Sequence, residues 1–416
     1  MSKVVVEGGA RLQGTVGVLG AKNAALKEMV SALLAPGRHR LTNVPDIVDV
    51  ALMCRVLEHT GCHVEQNGHE LWVVVPDELR PEAPIELVRQ MRASIVVLGP
   101  LLARCREARV ALPGGDDLGA RPIDMHLNGL EAMGADFELV RGELVGRVEG
   151  RLKGTEVELP FPSVGATENL LFAGVLAEGE TVIVNAAREP EIEDLITQLV
   201  EMGADITGGG TSLVTIRGVD QLTPTEHLVI PDRLEAGTYA AASAITNGDV
   251  TITGCNPEHL RMELLKLEES GCEVERGNGW LRVKGPERPT SVDFATLPFP
   301  GFHTDMQPQM VALLSVATGT SVITENLYDA RFRYVGELAR MGADITTEAQ
   351  HALIRGVETL SGCPVLAPDI RAGAALVLAG LRATGTTEVG AAGHIDRGYE
   401  DFPGKLQSLG ARIERA

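Results

Sequence analysis

Aromatic residues are scarce in this chain: 2 Trp, 4 Tyr and 8 Phe make up 3% of 416 residues, against 44% hydrophobic residues in total. A core this aliphatic suits a well-packed α/β protein. Basic residues are also in deficit, 37 against 57 acidic, for a net charge of −20. That balance argues against nucleic acid or an anionic membrane as partner. Any anionic substrate must meet a local Lys/Arg cluster set against the global field. No apolar run approaches the roughly 20 residues that span a bilayer. The opening MSKVVVEGG lacks the features of a signal peptide, so a cytoplasmic location is expected. The six cysteines (Cys54, Cys62, Cys105, Cys255, Cys272, Cys363) show neither metal-ligand spacing nor a secreted framework. Phosphate-loop and GxGxxG motifs are missing, and the ten histidines are scattered, so no metal site is expected.

What is present is repetition. The phrases LEHTGCHVEQNG, LEAMGADFELVRG, LVEMGADITGGG, LEESGCEVERGNG, LARMGADITTEAQ and LQSLGARIERA place anchor glycines at Gly61, Gly134, Gly203, Gly271, Gly342 and Gly410. Intervals of 73, 69, 68, 71 and 68 residues divide the chain into six units. About 24 residues before each anchor lies a turn followed by an extended run, with a helix-length apolar stretch ahead of it. A second helix follows, as in VDVALMCRVLEHTG, where Val50, Met53, Val56 and Leu57 fall at helical spacing. Each anchor glycine sits where a left-handed C-cap is wanted. Asn67-Gly68 and Asn278-Gly279 signal hairpins. One unit therefore reads βαβαββ. A chain of this length splits rather than extending one core, and three units per domain divides it evenly. Cys62 and Cys272 follow anchor glycines where other copies carry Ala, which predicts buried packing thiols.

Equivalent repeat positions expose the chemistry. Aligning the units on their turns places Asn23, Arg92, Gly165, Leu234, Asp305 and Arg371 together, with Lys22, Arg233, Glu235 and Thr304 adjacent. These are first-turn positions of apolar helices, whose free N–H groups and partial positive charge favour phosphate and carboxylate. A Lys or Arg there opposes the helix dipole and is a poor structural choice, so its recurrence points to ligand binding. Loops before the second helices add Arg121, Arg188, Arg331 and Arg397. Two three-unit domains turning such helix ends toward one another would make a cleft for a multiply charged, phosphorylated substrate. Asp116, Asp305 and Asp369 are candidate acids and bases.

The chain resembles the UDP-N-acetylglucosamine 1-carboxyvinyltransferases, the enolpyruvyl transferases of peptidoglycan synthesis. The resemblance covers the whole chain. It rests on Gly20-Ala-Lys-Asn23, Met91-Arg-Ala-Ser94, Gly119-Ala-Arg-Pro-Ile-Asp124, Ser163-Val-Gly-Ala-Thr167, Arg188-Glu-Pro-Glu191, Thr304-Asp-Met-Gln307, Asp369-Ile-Arg-Ala372 and His394-Ile-Asp-Arg-Gly-Tyr399. Phrases such as FPSVGATEN and PTEH are similar to the actinobacterial branch. The resemblance implies two inside-out α/β barrel domains of three βαβαββ repeats each, as in EPSP synthase. It implies one discontinuous domain of residues 1–21 and 230–416, and a second of 22–229 carrying a mobile catalytic loop at 113–121.

By the same resemblance, the enolpyruvyl group of phosphoenolpyruvate passes to the 3-hydroxyl of UDP-N-acetylglucosamine with release of phosphate. That is the first committed step of peptidoglycan synthesis, and it needs no cofactor. Asp305 is implied as the base for the sugar hydroxyl. Lys22, Arg121 and Arg397 would hold the phosphate, with Arg331 and Arg371 steadying the phosphoenolpyruvate carboxylate and Asn23 the tetrahedral intermediate. Arg92, Arg121, Pro122, Asp124 and Met125, with Ser163, Val164 and Gly165, would hold the uridine diphosphate. Thr304, Leu327 (through its backbone) and Tyr328 would meet the sugar side.

Two departures stand out. The family's loop commonly reads PGGC, whereas here it is Pro113-Gly-Gly-Asp116. Asp116 would act as substitute acid, and the chain should resist fosfomycin, the epoxide that alkylates the loop cysteine. His303 stands where Pro is expected before Thr-Asp, lifting a backbone restriction beside Asp305. That change is either neutral or the mark of a shifted acceptor. The alternatives are an enolpyruvyl transferase acting on a nucleotide of secondary metabolism or on shikimate 3-phosphate, and a non-enzymatic sugar-nucleotide-binding paralogue.

Overall fold

The computed structural model describes residues 2–116, 118–120 and 122–416. The chain divides into two compact units. The N-terminal unit comprises residues 20–115 and 122–230, and the C-terminal unit residues 1–19, 116–121 and 231–416. The tip of the loop expected at 113–121 thus groups with the C-terminal unit rather than with its flanking segments. Within that unit Ala330 N donates to Leu118 O, and Asp116 pairs with Arg397.

Among the described residues the strands form six four-stranded sheets of one plan. A parallel pair is extended on one side by an antiparallel hairpin. In one sheet, for example, Glu156–Glu158 runs parallel to Glu180–Val184, which pairs antiparallel with Leu213–Arg217 and through it with Asp205–Thr207. The six repeats are therefore real, but two exchange their first strands. Gln13–Gly17 precedes helix Lys22–Ser31 yet pairs with Asp249–Thr253 in the C-terminal unit. Glu226–Leu228 precedes helix Arg233–Ile245 yet pairs with Gly37–Thr42 in the N-terminal unit. In the sixth sheet Val4–Glu7 fills the place that the last hairpin strand takes elsewhere.

The first helix of each repeat lies inside its unit. Every residue of helix Arg233–Ile245 is buried, as are all but one of helix Ile370–Arg382. Helices buried all round must approach closely, which favours small side chains over the wide apolar stripe of a surface helix. Runs such as Ala240-Ala241-Ala242 supply this. A Cβ at Gly237 would come within 2.8 Å of Met306 Sδ. The second helices are amphipathic and carry the anchors. All six anchor glycines have φ between 94° and 103°, the left-handed C-cap conformation the repeat requires. Cys62 and Cys272 are buried free thiols. No helix among the described residues is long and apolar enough to cross a membrane.

Candidate functional site

The six first-turn positions picked out by the repeat all fall at helix starts. Helical structure begins at Lys22, Arg92, Val164, Arg233, Thr304 and Ile370.

In the C-terminal unit, Asp305 lies in the 3-10 turn Thr304–Met306 that leads into helix Gln307–Leu314. Its Oδ1 accepts from Arg331 Nη2 at 3.1 Å and its Oδ2 from Arg371 Nε at 3.2 Å. The two guanidinium side chains are only 1% and 4% exposed, whereas that of Asp305 is 21% exposed. A buried guanidinium without a counter-charge is strongly destabilising, so the shared carboxylate stabilises both while keeping an edge toward solvent. Burial alone would weaken the charge on Arg331, but Asp305, Asp369 and Glu325 outweigh it and raise its pKa. Arg371 also lies 5.1 Å from the centre of the Tyr399 ring.

Three features here escaped the sequence reading. Asp369, a candidate acid or base, also caps its helix: its Oδ1 accepts from the N–H groups of Arg371 and Ala372. Buried Glu325 organises the loop that carries Leu327 and Tyr328, accepting from Thr296 Oγ1, Thr304 Oγ1 and the N–H groups of Leu327 and Tyr328. The Leu327 backbone therefore has its carbonyl, not its N–H, to offer a ligand. His303 Nδ1 accepts from Asp305 N at 3.0 Å, and the His303 N–H donates to buried Glu263 at 2.8 Å. A proline could do neither, so the departure at 303 builds a cap directly under the candidate base.

Asp116 belongs to this unit. Its Oδ1 accepts from Arg397 Nη1 at 2.5 Å, with His394 Nδ1 at 3.8 Å. The loop carboxylate and an expected phosphate-binding cation are thus brought together.

In the N-terminal unit, Lys22 opens helix Lys22–Ser31 and pairs with buried Asp49 at 2.7 Å. Asn23 follows it on the first turn. One turn deeper, Lys27 donates to Asn23 O and pairs with Glu168. Burial raises the Glu168 pKa to about 7, even against the pull of Lys27. Arg92 Nη2 donates to Pro122 O at 3.2 Å. Asp124 and Met125 begin helix Asp124–Ala132, and Ser163 caps helix Val164–Gly174 by accepting from Ala166 N. These two helix starts are joined through His126, which no sequence signal marked. Its Nδ1 lies 2.8 Å from Asn169 Nδ2, and Asn169 Oδ1 accepts from Gly99 N. Burial, helped by Arg92, lowers the His126 pKa to about 4, so the ring is neutral and accepts through Nδ1. Gly165 permits the contact, since a Cβ there would fall 2.9 Å from His126 Cε1. Arg188 is exposed, and Arg121 lies outside the described residues.

The profile of the EPSP synthase (3-phosphoshikimate 1-carboxyvinyltransferase) family matches residues 6–406. This chain belongs to that family. It is 54% identical to the UDP-N-acetylglucosamine 1-carboxyvinyltransferase of Corynebacterium jeikeium, over 99% of this chain and 98% of the relative. It is 53% identical to the enzyme of the same name from Mycobacterium tuberculosis, over 99% of each chain. Among solved structures, the enolpyruvyl transferase NikO from Streptomyces tendae superposes with a TM-score of 0.90 at 26% identity, over 100% of this chain and 99% of that one. EPSP synthase from Acinetobacter baumannii, at 20% identity and TM-score 0.76, shares the fold over the full length of both chains. The chain is a transferase, built on the two-domain EPSP-synthase-like fold.

Proposed function

We propose that this protein moves the enolpyruvyl group of phosphoenolpyruvate onto the 3-hydroxyl of UDP-N-acetylglucosamine, releasing phosphate, as the names of its relatives imply. The observation that carries the mechanism is Asp305 held between Arg331 and Arg371. A carboxylate fixed by two buried cations, with one edge exposed, is pre-oriented to take a proton from a hydroxyl. As the sugar oxygen forms its bond to C2 of phosphoenolpyruvate, Asp305 takes the hydroxyl proton and C3 gains one. Phosphate then leaves C2 as C3 loses a proton, restoring the double bond in the enol ether. Arg331 and Arg371 balance the negative charge of the carboxylate carried on C2.

Asp116 and Arg397 supply the acid side. An arriving phosphate competes for Arg397, and Asp116, released from that ion pair, takes up a proton from solvent and passes it to C3. Lys22 and Asn23 bind the phosphate and the tetrahedral adduct, and Arg121 would add a further cation. The helix starts at Asp124 and Val164, with Arg92 and Pro122, take the uridine diphosphate: free N–H groups and the helix dipole suit a diphosphate. Thr304, Leu327 and Tyr328 meet the sugar. The substrates are small molecules, and the reaction places the protein in peptidoglycan synthesis in the cytoplasm.

The test is phosphate release from phosphoenolpyruvate with a panel of acceptors. Turnover with UDP-N-acetylglucosamine, and none with a free nucleotide or shikimate 3-phosphate, is the expected result. Preference for either of the latter overturns the acceptor assignment, and binding without turnover on any acceptor overturns the enzymatic one.

A further inference from the structure

A second polar cluster lies in the N-terminal unit, and the transferase chemistry makes no use of it. Glu28, midway along helix Lys22–Ser31, has no solvent exposure, and among the described residues no N–H or hydroxyl donor reaches either of its carboxylate oxygens; its one side-chain hydrogen-bond contact is with another carboxyl, that of Asp194. An unsatisfied carboxylate in a helix interior is among the least favourable groups a fold can hold. Its surroundings are not apolar. His227 Nε2 lies 3.8 Å from Glu28 Oε1 and 3.2 Å from Asp194 Oδ1. One ligand atom from each of the three residues lies within 4.8 Å of the others. The opposite nitrogen of the ring, His227 Nδ1, lies 2.8 Å from Glu201 Oε2.

We propose that Glu28, Asp194 and His227 bind a divalent transition-metal ion, zinc or manganese by donor type. Three arguments converge. The first is distance: donors each about 2.0–2.2 Å from a tetrahedral ion are roughly 3.3 Å apart. The separations of 3.2 and 3.8 Å approach this. The second is charge, since two carboxylates neutralise a dication and remove the cost of burying Glu28 as an anion. The third is the outer shell. Glu201 on Nδ1 would hold the ring so that, with an ion bound, Nε2 turns its lone pair to the metal, the carboxylate–histidine–metal arrangement that orients histidine ligands. With one nitrogen, two or three oxygens and no thiolate, the donors suit zinc or manganese rather than a soft ion.

The ligands come from helix Lys22–Ser31, helix Pro190–Glu201 and strand Glu226–Leu228, so no sequence motif announces them. They also hold the places where the chain leaves this unit. Asp194 Oδ2 accepts from Ile230 N, and Ile230 O accepts from Ala21 N, the residue before Lys22. A bound ion would fasten both ends of the unit and fix the helix that presents Lys22. The role is structural, and it does not depend on the catalytic assignment.

The protein, stripped of metal by chelation and dialysis, is titrated with zinc and with manganese by calorimetry, beside Glu28→Gln, Glu28→Leu and His227→Gln. The expected result is one equivalent of zinc or manganese, lost or weakened at least tenfold in all three variants. Glu201→Gln weakens it by about 10–100-fold through the ring orientation. Saturating metal raises the melting temperature of the unsubstituted protein by about 2–4 °C, as expected for a ligand that binds only the folded state of a chain this size. Cobalt substitution gives an absorption spectrum without a thiolate band. The proposal is overturned if the stripped protein takes up neither metal at micromolar concentration, which leaves a cluster that holds protons only. It is equally overturned if the Glu28 and His227 variants bind as tightly as the parent, or if cobalt reports thiolate ligation.

Discussion

The two units carry the same repeat, yet fill some of its equivalent first turns with opposite chemistry. In the C-terminal unit those turns hold Asp305 and Arg371, locked with Arg331 into a charged triad. In the N-terminal unit the matching turn of helix Val164–Gly174 holds Gly165, capped by a serine and packed against a neutral histidine. One arrangement presents charge that can move a proton, and the other presents bare backbone N–H groups that can hold an anion.

Substitutions that act on one unit at a time separate the two chemistries. The largest effect is an all-or-none one at Asp116. The parent enzyme is expected to show no time-dependent loss of activity with fosfomycin, and Asp116→Cys to keep turnover and be inactivated completely. Thiolates open epoxides far more readily than carboxylates do, and the six natural cysteines lie outside the loop. A stable adduct on the parent protein, seen by mass spectrometry together with lost activity, contradicts this reading.

Next comes Asp305→Asn, which keeps the shape of the triad but removes the base. Turnover should fall by about 10²–10⁴-fold. Both asparagine and alanine remove the charge that two buried guanidiniums share, but alanine also removes the volume and the remaining acceptor oxygen, so unfolding is measured beside turnover to separate chemistry from stability. Near-normal turnover in the asparagine variant would falsify the base assignment.

A smaller effect distinguishes the N-terminal unit. The folded pKa of His126 is depressed from its ordinary value near 6.5 to about 4, chiefly by burial. A depressed pKa means that the unfolded chain binds the proton first. Its contribution to stability is therefore whole above pH 6.5 and lost as pH falls toward 4. The loss amounts to about 3 kcal/mol. Denaturant unfolding between pH 4 and 7 should show this acid limb, and His126→Gln should flatten it. An unchanged limb would place the titrating group elsewhere.

The smallest effect is expected from Gly165→Ala. The new Cβ meets the His126 ring, and overpacking of this kind costs about 1–3 kcal/mol. Sugar-nucleotide affinity should drop by about tenfold, with the maximal rate at saturation little altered. Unchanged affinity would remove this helix start from the nucleotide site.

The repeats, the buried helices and their starts were legible because each rests on local signals: apolar periodicity, a left-handed glycine and a turn. Asp305 and its cations could be named for the same reason, since they recur at a fixed repeat position. Their mutual arrangement could not be read, because Arg331 and Arg371 reach Asp305 from 26 and 66 residues away. The capping role of Asp369 could not be read, because a capping aspartate and a catalytic one look alike in sequence until the acceptor's N–H partners are known. Glu325, Asp49 and the His126–Asn169 pair were invisible for a related reason: each works by satisfying groups on other elements. The strand exchange leaves little local trace, because Gln13–Gly17 and Glu226–Leu228 both stand in their normal place ahead of a helix and differ only in the sheet they join.

The division between a proton-moving unit and an anion-holding unit is tested most directly by measuring equilibrium binding of UDP-N-acetylglucosamine and single-turnover product formation on the same two variants. Asp305→Asn should bind the sugar nucleotide within a few-fold of the parent and form almost no product. Gly165→Ala should bind about tenfold more weakly, yet form product at nearly the parent rate once saturated. If Asp305→Asn loses nucleotide affinity in step with its chemistry, or Gly165→Ala loses chemistry at saturation, the two helix starts share one task and the division is contradicted.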